Sequence, residues 1–119
     1  MSFVYVDVIV HGYRSSRSVR MLVDTGSTYL VLGSDVIREL GLYETPYTVE
    51  VTLADGRRIR TKLYLAEVEI ESRRGPTFVA ELNTPTPLLG VYALETLGFK
   101  INPRTGEVEE ISPEGGYLL

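Results

Sequence analysis

One carboxylate of this sequence stands directly after a largely apolar segment. Asp24 follows the run "RMLV" and is itself followed by Thr25, Gly26 and Ser27. An ionised Asp in apolar surroundings is costly unless something holds it, so such a residue lies at a surface turn or serves chemistry. The chemistry open to a carboxylate is proton transfer, because it can take a proton from water as a base and return one as an acid.

Acid–base catalysis of a hydrolysis by water needs a base and an acid together, and one carboxylate cannot hold both states. Two carboxylates about 3 Å apart can, because they cannot both ionise and therefore share one proton. The remaining Asp residues are in other settings: Asp7 in a strand, Asp35 at a helix start and Asp55 in a hairpin turn. The chain thus supplies half a site, and an enzyme built on it must be a symmetric homodimer with both copies of Asp24 on the two-fold axis.

The composition excludes several other kinds of site. The chain has 119 residues, of which 44% are hydrophobic and 24% charged, as in a single globular domain. Its net charge of -4 and pI near 5.0 argue against a nucleic-acid surface. Cysteine is absent, and the single histidine, His11, is expected in a loop, so thiolate nucleophiles, Cys-built zinc sites and a Ser/His/Asp triad are not expected. We predict no metal and no cofactor.

The N-terminal segment "MSFVYVDVIV" predicts a strand. It has no basic region and is interrupted by Asp7, so it does not resemble a signal peptide, and nothing in the sequence approaches the length of a membrane span. The expected location is the cytoplasm, with no membrane partner. Apolar residues alternate over 3–10, residues 12–18 form a connecting loop, and a returning strand over 19–23 runs into Asp24.

Two short helices are predicted. Ser34 is expected to cap the first, over 35–40, which Gly41 ends. The second, over 91–97, is ended by Gly98.

A long two-faced hairpin is predicted over 47–65. A three-residue loop, Ala54-Asp55-Gly56, with Gly56 in the left-handed conformation, places apolar residues opposite one another. The pairs in this register are Leu53 with Arg57, Val51 with Ile59, and Tyr47 with Leu63. Beyond the hairpin the apolar phase changes, which indicates a bulge near Ala66.

The C-terminal third is predicted to contain short strands. Residues 72–76 form a turn, 77–82 a strand, and 102–106 a turn between two final strands. We assign one domain to 1–111 and a tail to 112–119. The chain is therefore all-β apart from its two helices.

The order of these features resembles the retropepsin family of aspartic proteases, the single-domain relatives of pepsin. A strand running into "DTGS", a hairpin with a Gly tip, the segment "LLG" and a helix directly after it extend from the N-terminal strand to about Val108. The resemblance implies a closed, barrel-like acid protease fold with a flap hairpin. It also implies a homodimeric endopeptidase that acts on polypeptides.

The resemblance assigns roles to three groups of residues. The catalytic loop comprises Asp24, Thr25, Gly26 and Ser27. The substrate-binding flap tip comprises Leu53, Ala54, Asp55 and Gly56. The segment that supports the site comprises Leu88, Leu89 and Gly90. Thr25 would bond to its mate across the dimer, and a Ser27 hydroxyl that donates to the carboxylate would favour its ionised form. The expected pH optimum is acidic to mildly acidic.

One departure from the family pattern concerns the dimer. Retroviral enzymes carry Arg after the apolar-apolar-Gly triplet, whereas this chain has Val91, so an interface ion pair is missing. Arg57 and Arg58, beyond the hairpin tip, could select acidic substrate positions, although solvated charge is favoured. Two other functions stay open: a peptide-binding or assembly module without turnover, and a monomeric ligand-binding β-barrel.

Overall fold

The computed structural model describes residues 3–53, 55–102 and 104–111. The predicted tail over 112–119 and Ala54 lie outside these ranges. The elements are β1 (Tyr5–His11), β2 (Ser16–Asp24), β3 (Leu30–Leu32), α1 (Ser34–Leu40), β4 (Tyr43–Thr52), β5 (Arg58–Ile70), β6 (Arg73–Glu81), β7 (Leu88–Gly90), α2 (Val91–Thr96), β8 (Phe99–Ile101) and β9 (Val108–Glu110).

Six of these strands close into a barrel. The strands are hydrogen-bonded in the order β1-β2-β7-β3-β6-β5, and β5 pairs again with β1 to complete the ring. One edge of β5 serves two partners, because residues from Arg58 to Leu65 pair with β4, while residues from Glu67 to Glu69 pair with β1. The first residues of β5, up to Lys62, pair with β4 alone, so the β4–β5 hairpin projects beyond the barrel.

The hydrophobic core fills the barrel and lies under both helices. Period-two alternation places Val8 and Val10 of β1 inside, as the alternation over 3–10 predicts, and Val19 and Met21 of β2 are also buried. Further core side chains come from the other elements: Leu30, Leu32, Ile37, Leu40, Val68, Ile70, Val79, Leu89, Leu94, Leu97 and Phe99. Each fully buried aliphatic or aromatic side chain contributes about 1.5–3 kcal/mol to folding.

Helix α1 is confirmed, but its predicted cap is wrong. Ser34 is the first helical residue, and Gly33 stands at the N-cap with extended backbone and no side-chain hydrogen bond. The amide of Ser34 instead donates to Asn83 Oδ1 at 3.0 Å, so a distant residue satisfies this helix end. Gly41 ends the helix, as predicted. Its backbone is in the left-handed conformation (φ 71°), and its N–H donates to the Ile37 carbonyl at 3.0 Å.

The hairpin register is confirmed near the tip and wrong near the base. Val51 pairs with Ile59, the Leu53 N–H donates to the Arg57 carbonyl at 2.7 Å, and Gly56 is left-handed at φ 87°. The predicted pair of Tyr47 with Leu63 does not form, because the register shifts between Glu44 and Thr48. At this shift the Thr45 hydroxyl donates to the Leu63 carbonyl at 2.6 Å and accepts the Tyr47 N–H at 3.2 Å.

The predicted bulge near Ala66 is also absent, since β5 pairs with β6 in one continuous register from Leu63 to Ile70. The buried residues of β5 change from one face of the strand to the other at Leu63 and Tyr64, which are consecutive and both buried. At this point β5 passes from the projecting hairpin into the barrel wall. The strand then buries its opposite face in the core.

Two predicted loops are shorter than expected. Strand β2 begins at Ser16, so the first loop spans only 12–15, and the turn predicted over 72–76 lies at Glu71 and Ser72, which have positive φ. His11, predicted in a loop, ends β1. Its Nδ1 lies 2.6 Å from Ser16 Oγ and its Nε2 lies 3.3 Å from Glu69 Oε1, so it joins the three strands that meet there.

The two C-terminal strands form a separate small sheet, β8–β9, which flanks the predicted turn after Ile101. Arg73 attaches this sheet to the barrel. Its guanidinium lies over the Phe99 ring, donates to the Leu97 carbonyl and lies 3.1 Å from Glu110 Oε2. The side chain of Arg73 is largely buried, so these contacts fix the end of α2 against β6.

Candidate active site

Asp24 lies at the carboxyl end of β2, where two parallel strands finish side by side. Strand β2 pairs with β7 so that Leu22 faces Leu88, Val23 faces Leu89 and Asp24 faces Gly90. Val23 and Leu89 turn toward the core, so the residues that alternate with them, Leu22 and Asp24, turn to the other face. The apolar strand therefore delivers the half-buried carboxylate to the outside of the barrel wall.

The loop after Asp24 folds back on the carboxylate. The Gly26 N–H donates to Asp24 Oδ1 at 2.9 Å, and the Ser27 N–H donates to the Asp24 main-chain carbonyl at 3.0 Å. A Cβ on Gly26 would lie 3.3 Å from the same Oδ1, so glycine permits this close approach. Thr25 and Gly26 are exposed, which leaves the tip of the loop open on the surface of the single chain.

The predicted hydrogen bond from Ser27 to the carboxylate does not form in the single chain. Ser27 Oγ donates to the Tyr29 carbonyl at 2.8 Å, and a hydroxyl has only one proton to give. This bond is local, two residues along the chain, and it stiffens the loop as it leaves Asp24. Ser27 thus shapes the loop and does not touch the carboxylate.

Gly90 is required where the loop crosses β7. A Cβ on Gly90 would lie 2.5 Å from the Tyr29 carbonyl oxygen and 2.7 Å from the backbone of Thr28, which no side chain could tolerate. The chain beyond Gly90 is also bound to the loop, since the Val91 N–H donates to the Ser27 carbonyl at 3.0 Å. Residues after Gly90 therefore hold the loop by main-chain bonds.

A cleft of about 590 Å³ opens in front of Asp24 and is covered by the end of the β4–β5 hairpin. Its described lining residues are Asp24, Gly26, Ser27, Thr28, Tyr29, Val31, Glu50, Val51, Thr52, Leu53, Ala80, Leu82, Thr84 and Leu88. The structure thus brings the predicted catalytic loop and the predicted hairpin residue Leu53 together. Leu88, predicted to support the site, lines the cleft itself. Leu89, which has the same predicted role, belongs to the core.

The other predicted tip residues, Asp55 and Gly56, do not line the cleft. Asp55 Oδ1 accepts the Arg57 N–H at 3.0 Å and its Oδ2 accepts Arg57 Nε at 2.6 Å. Both bonds lower the pKa of Asp55, and the bond from the Arg57 backbone has the larger effect. They favour the ionised carboxylate. Arg58 Nη1 lies 3.7 Å from Glu50, and both arginine side chains are exposed, so they act as solvated charges that neutralise the hairpin's own carboxylates.

A larger groove of about 840 Å³ lies elsewhere and shares no lining residue with the cleft. Its ionisable side chains already have partners, because His11 contacts Glu69 and Arg74 contacts Glu67. The Arg74 guanidinium lowers the pKa of Glu67 by hydrogen bonding. The cleft at Asp24 is therefore the candidate active site.

The sequence model of the family described as "gag-polyprotein putative aspartyl protease" matches residues 7–96, well over half of the chain. The chain belongs to this family. The match spans Asp24, the projecting hairpin and β7, all of which contribute residues to the lining of the cleft. The residues matched to this aspartyl protease family lie within the region over which the sequence resembles retropepsins, from the N-terminal strand to about Val108.

A solved structure shares the fold of this aspartyl protease domain. The EIAV protease complexed with the inhibitor HBY-793 superposes with a TM-score of 0.61 at 18% sequence identity, covering 78% of this chain and 86% of that chain. The closed barrel with two short helices is thus the retroviral protease fold, as predicted. No curated protein sequence matches the chain significantly.

Two further observations concern the described part of this family member. Among these residues, no group of His, Asp or Glu side chains could hold a metal ion. No helix within the described ranges is long and apolar enough to cross a membrane.

Proposed function

We propose that the chain is an aspartic endopeptidase that acts as a homodimer, with one catalytic carboxylate, Asp24, from each protomer. The observation that carries the proposal is the position of Asp24: it ends a core strand, is held by the Gly26 N–H at 2.9 Å, and faces a cleft covered by a hairpin. Membership of an aspartyl protease family supports the same chemistry.

The need for a dimer follows from the carboxylate count. Among the described residues that line the cleft, Asp24 and Glu50 carry carboxylates, and Glu50 lies on the hairpin beside Arg58. One protomer therefore offers one carboxylate at the floor, while shared-proton catalysis needs two about 3 Å apart. The exposed tip at Thr25 and Gly26 leaves room for a two-fold partner to bring its own Asp24 beside the first.

In the proposed mechanism, a water molecule lies between the two Asp24 carboxyl groups. The ionised carboxylate takes a proton from this water, and the oxygen of the water bonds to the peptide carbonyl carbon. At the same time the protonated partner gives its proton to the carbonyl oxygen. The carboxyl group that took the proton from water then gives it to the leaving nitrogen, and the other carboxylate takes a proton back from one hydroxyl of the gem-diol as the C=O bond re-forms. The C–N bond breaks, an acid and an amine are released, and the two carboxyl groups again share one proton. The Gly26 N–H keeps Oδ1 oriented throughout.

The β4–β5 hairpin is proposed to act as a flap. From Thr48 to Lys62 it is a two-stranded ribbon, with Gly56 in the left-handed conformation at its tip, so it can lift and close over an extended peptide. Closure would exclude water and offer main-chain groups for β-type pairing with the substrate.

Cleavage of an unfolded protein substrate between acidic and neutral pH tests this proposal. We expect cleavage that pepstatin inhibits and that Asp24→Asn abolishes, with a dimer mass in solution for both proteins. Asn keeps an acceptor for the Gly26 N–H, so the variant should stay folded. A folded dimer that binds peptide but never cleaves it would instead support the non-catalytic module, and a monomer that does not cleave would contradict the enzyme.

A further inference from the structure

The groove of about 840 Å³ on the outer face of the barrel has an apolar wall. Tyr43 of β4 and Leu65 of β5 are direct cross-strand partners, so their side chains lie side by side on one face of the sheet. Pro76, exposed on the next strand, β6, also lines the groove. Tyr43 is 67% exposed and Leu65 39% exposed, so the described part of the chain leaves this apolar surface open to solvent.

Tyr13 is a second aromatic residue of the groove, and its loop is anchored. The Tyr13 N–H donates to the Gly41 carbonyl and the Arg14 N–H donates to the Leu40 carbonyl, both at 2.9 Å. The loop packs closely at Gly12, where a Cβ would lie 2.1 Å from the Leu40 carbonyl oxygen. Tyr13 itself is nonetheless 96% exposed. The fold thus fixes the main chain beneath an aromatic ring that stands in solvent, which lowers the entropic cost of binding a ligand there.

The charged side chains of the groove are already paired within the chain. Arg74 contacts Glu67, and Glu44 lies 3.6 Å from Lys62 Nζ. The imidazole of His11 also has a partner for each of its nitrogens. A charged ligand would have to compete with these contacts, whereas an uncharged ligand leaves them intact. The groove therefore favours an uncharged ligand.

Strand β5 is paired along both edges where it lines the groove. Over residues 65–67 one edge pairs with β6, and the other edge is shared between β4 and β1. A peptide lying over this stretch cannot be held by strand pairing with β5. A proline-rich peptide needs no such pairing, because the polyproline II helix has no internal hydrogen bonds and proline has no N–H to satisfy. Its carbonyl groups can accept hydrogen bonds from tyrosine hydroxyls.

We propose that this groove is a docking site for an uncharged, proline-rich segment of another protein in the polyproline II conformation. The rings of Tyr13 and Tyr43 pack against the proline rings of the segment, and their hydroxyls donate to its carbonyl groups. A polyproline II segment loses little conformational freedom when it binds, so a shallow aromatic surface is enough to hold it. The groove shares no lining residue with the cleft at Asp24, so this inference is independent of the proposed function.

Titration of the full chain with a fluorescently labelled oligoproline peptide, followed by anisotropy, tests this proposal. We expect saturable binding that does not weaken with added salt, because the contacts are uncharged. Tyr13→Ala and Tyr43→Ala should each weaken binding by roughly fivefold or more. Tyr47→Ala is the matched control and should bind as the wild type does. Tyr47 lies on the same strand as Tyr43 and is also 67% exposed, but it does not line the groove.

A glycine-serine peptide of the same length is the control ligand, and it should not bind. Amide NMR signals of the wild-type protein provide a readout that needs no variant. The signals of Tyr13 and Tyr43 should move on addition of oligoproline, while that of Gly26 in the cleft should not. Absence of saturable binding, equal binding of the glycine-serine peptide, an equal loss in Tyr47→Ala, or shifts confined to the cleft would each overturn the proposal.

Discussion

The carbonyl oxygen of Tyr29 lies 2.5 Å from the point where a Cβ atom on Gly90 would stand. This approach packs the segment after the Asp24 loop directly on the end of β7, beside the strand end that holds Asp24. Glycine is required at this position because of the close contact, since its φ is an ordinary negative value. The position of the loop therefore depends on having glycine, which has no side chain, at residue 90.

Gly90→Ala should destabilise the protein and displace the loop. The new Cβ meets backbone atoms, which cannot swing aside, so we expect a loss of about 1–3 kcal/mol in the free energy of unfolding, measured in urea. Gly75→Ala is the control, because its Cβ would meet Leu97 Cδ2 at 3.0 Å, the end of a flexible side chain. Equal losses in the two variants would show that the Gly90 contact is not special.

Ser27→Ala should lower stability without changing the pH dependence of cleavage. Its hydroxyl donates to the Tyr29 carbonyl, so the variant loses one hydrogen bond, with a cost of about 0.5–1.5 kcal/mol. The pH profile of kcat/KM should overlay that of the wild type, because the hydroxyl proton is not on Asp24. A displaced acid limb, restored by Ser27→Thr, would mean that the hydroxyl turns to the carboxylate in the working dimer.

Stability should fall at alkaline pH because of Tyr64. Burial first, and then the charge of Glu81 and the hydrogen bond to it, raise the pKa of Tyr64 from 10.0 to about 12. The unfolded chain loses this proton near pH 10, while the folded chain keeps it to about pH 12, so unfolding is favoured as pH rises through that window. Below pH 10 the contribution is fully present.

Urea titrations of wild type and Tyr64→Phe at pH 9, 10.5 and 12 measure this effect. The phenylalanine variant loses the hydrogen bond to Glu81 Oε1 at every pH, but it has no phenol to titrate. The stability difference between the two proteins should therefore shrink as pH rises. A constant difference would contradict the assignment to Tyr64.

Local patterns in the sequence predicted much of this fold. Three predictions depend on neighbouring residues, and all are confirmed: the alternation of Val8 and Val10, the helix end at Gly41, and the pairing of Val51 with Ile59 across a turn with left-handed Gly56. The errors involve distant partners. Ser34 was predicted to cap a helix whose end Asn83 satisfies, and the hairpin base was predicted without the Thr45 bond to Leu63.

The cleft wall could not be predicted for the same reason. Val31, Ala80 and Leu88 become neighbours only when β3 inserts between β6 and β7, in one parallel and one antiparallel pair that join distant parts of the chain. Their apolar character alone indicates burial, and nothing local distinguishes a cleft face from a core face in such short strands. Asp24 could be singled out from the sequence because it is a charged residue directly after the apolar run Met21, Leu22 and Val23.

The most direct test of the central claim is to mix wild-type and Asp24→Asn chains, because a site shared by two protomers makes the inactive chain dominant. The mixture is refolded or equilibrated at equal amounts, and activity per wild-type chain is compared with that of wild type alone at the same total concentration. Random pairing predicts that this activity falls to about half, and further with excess variant, since mixed dimers carry one Asp24. Activity per wild-type chain that does not change with added variant, while mixed dimers form, would contradict the account.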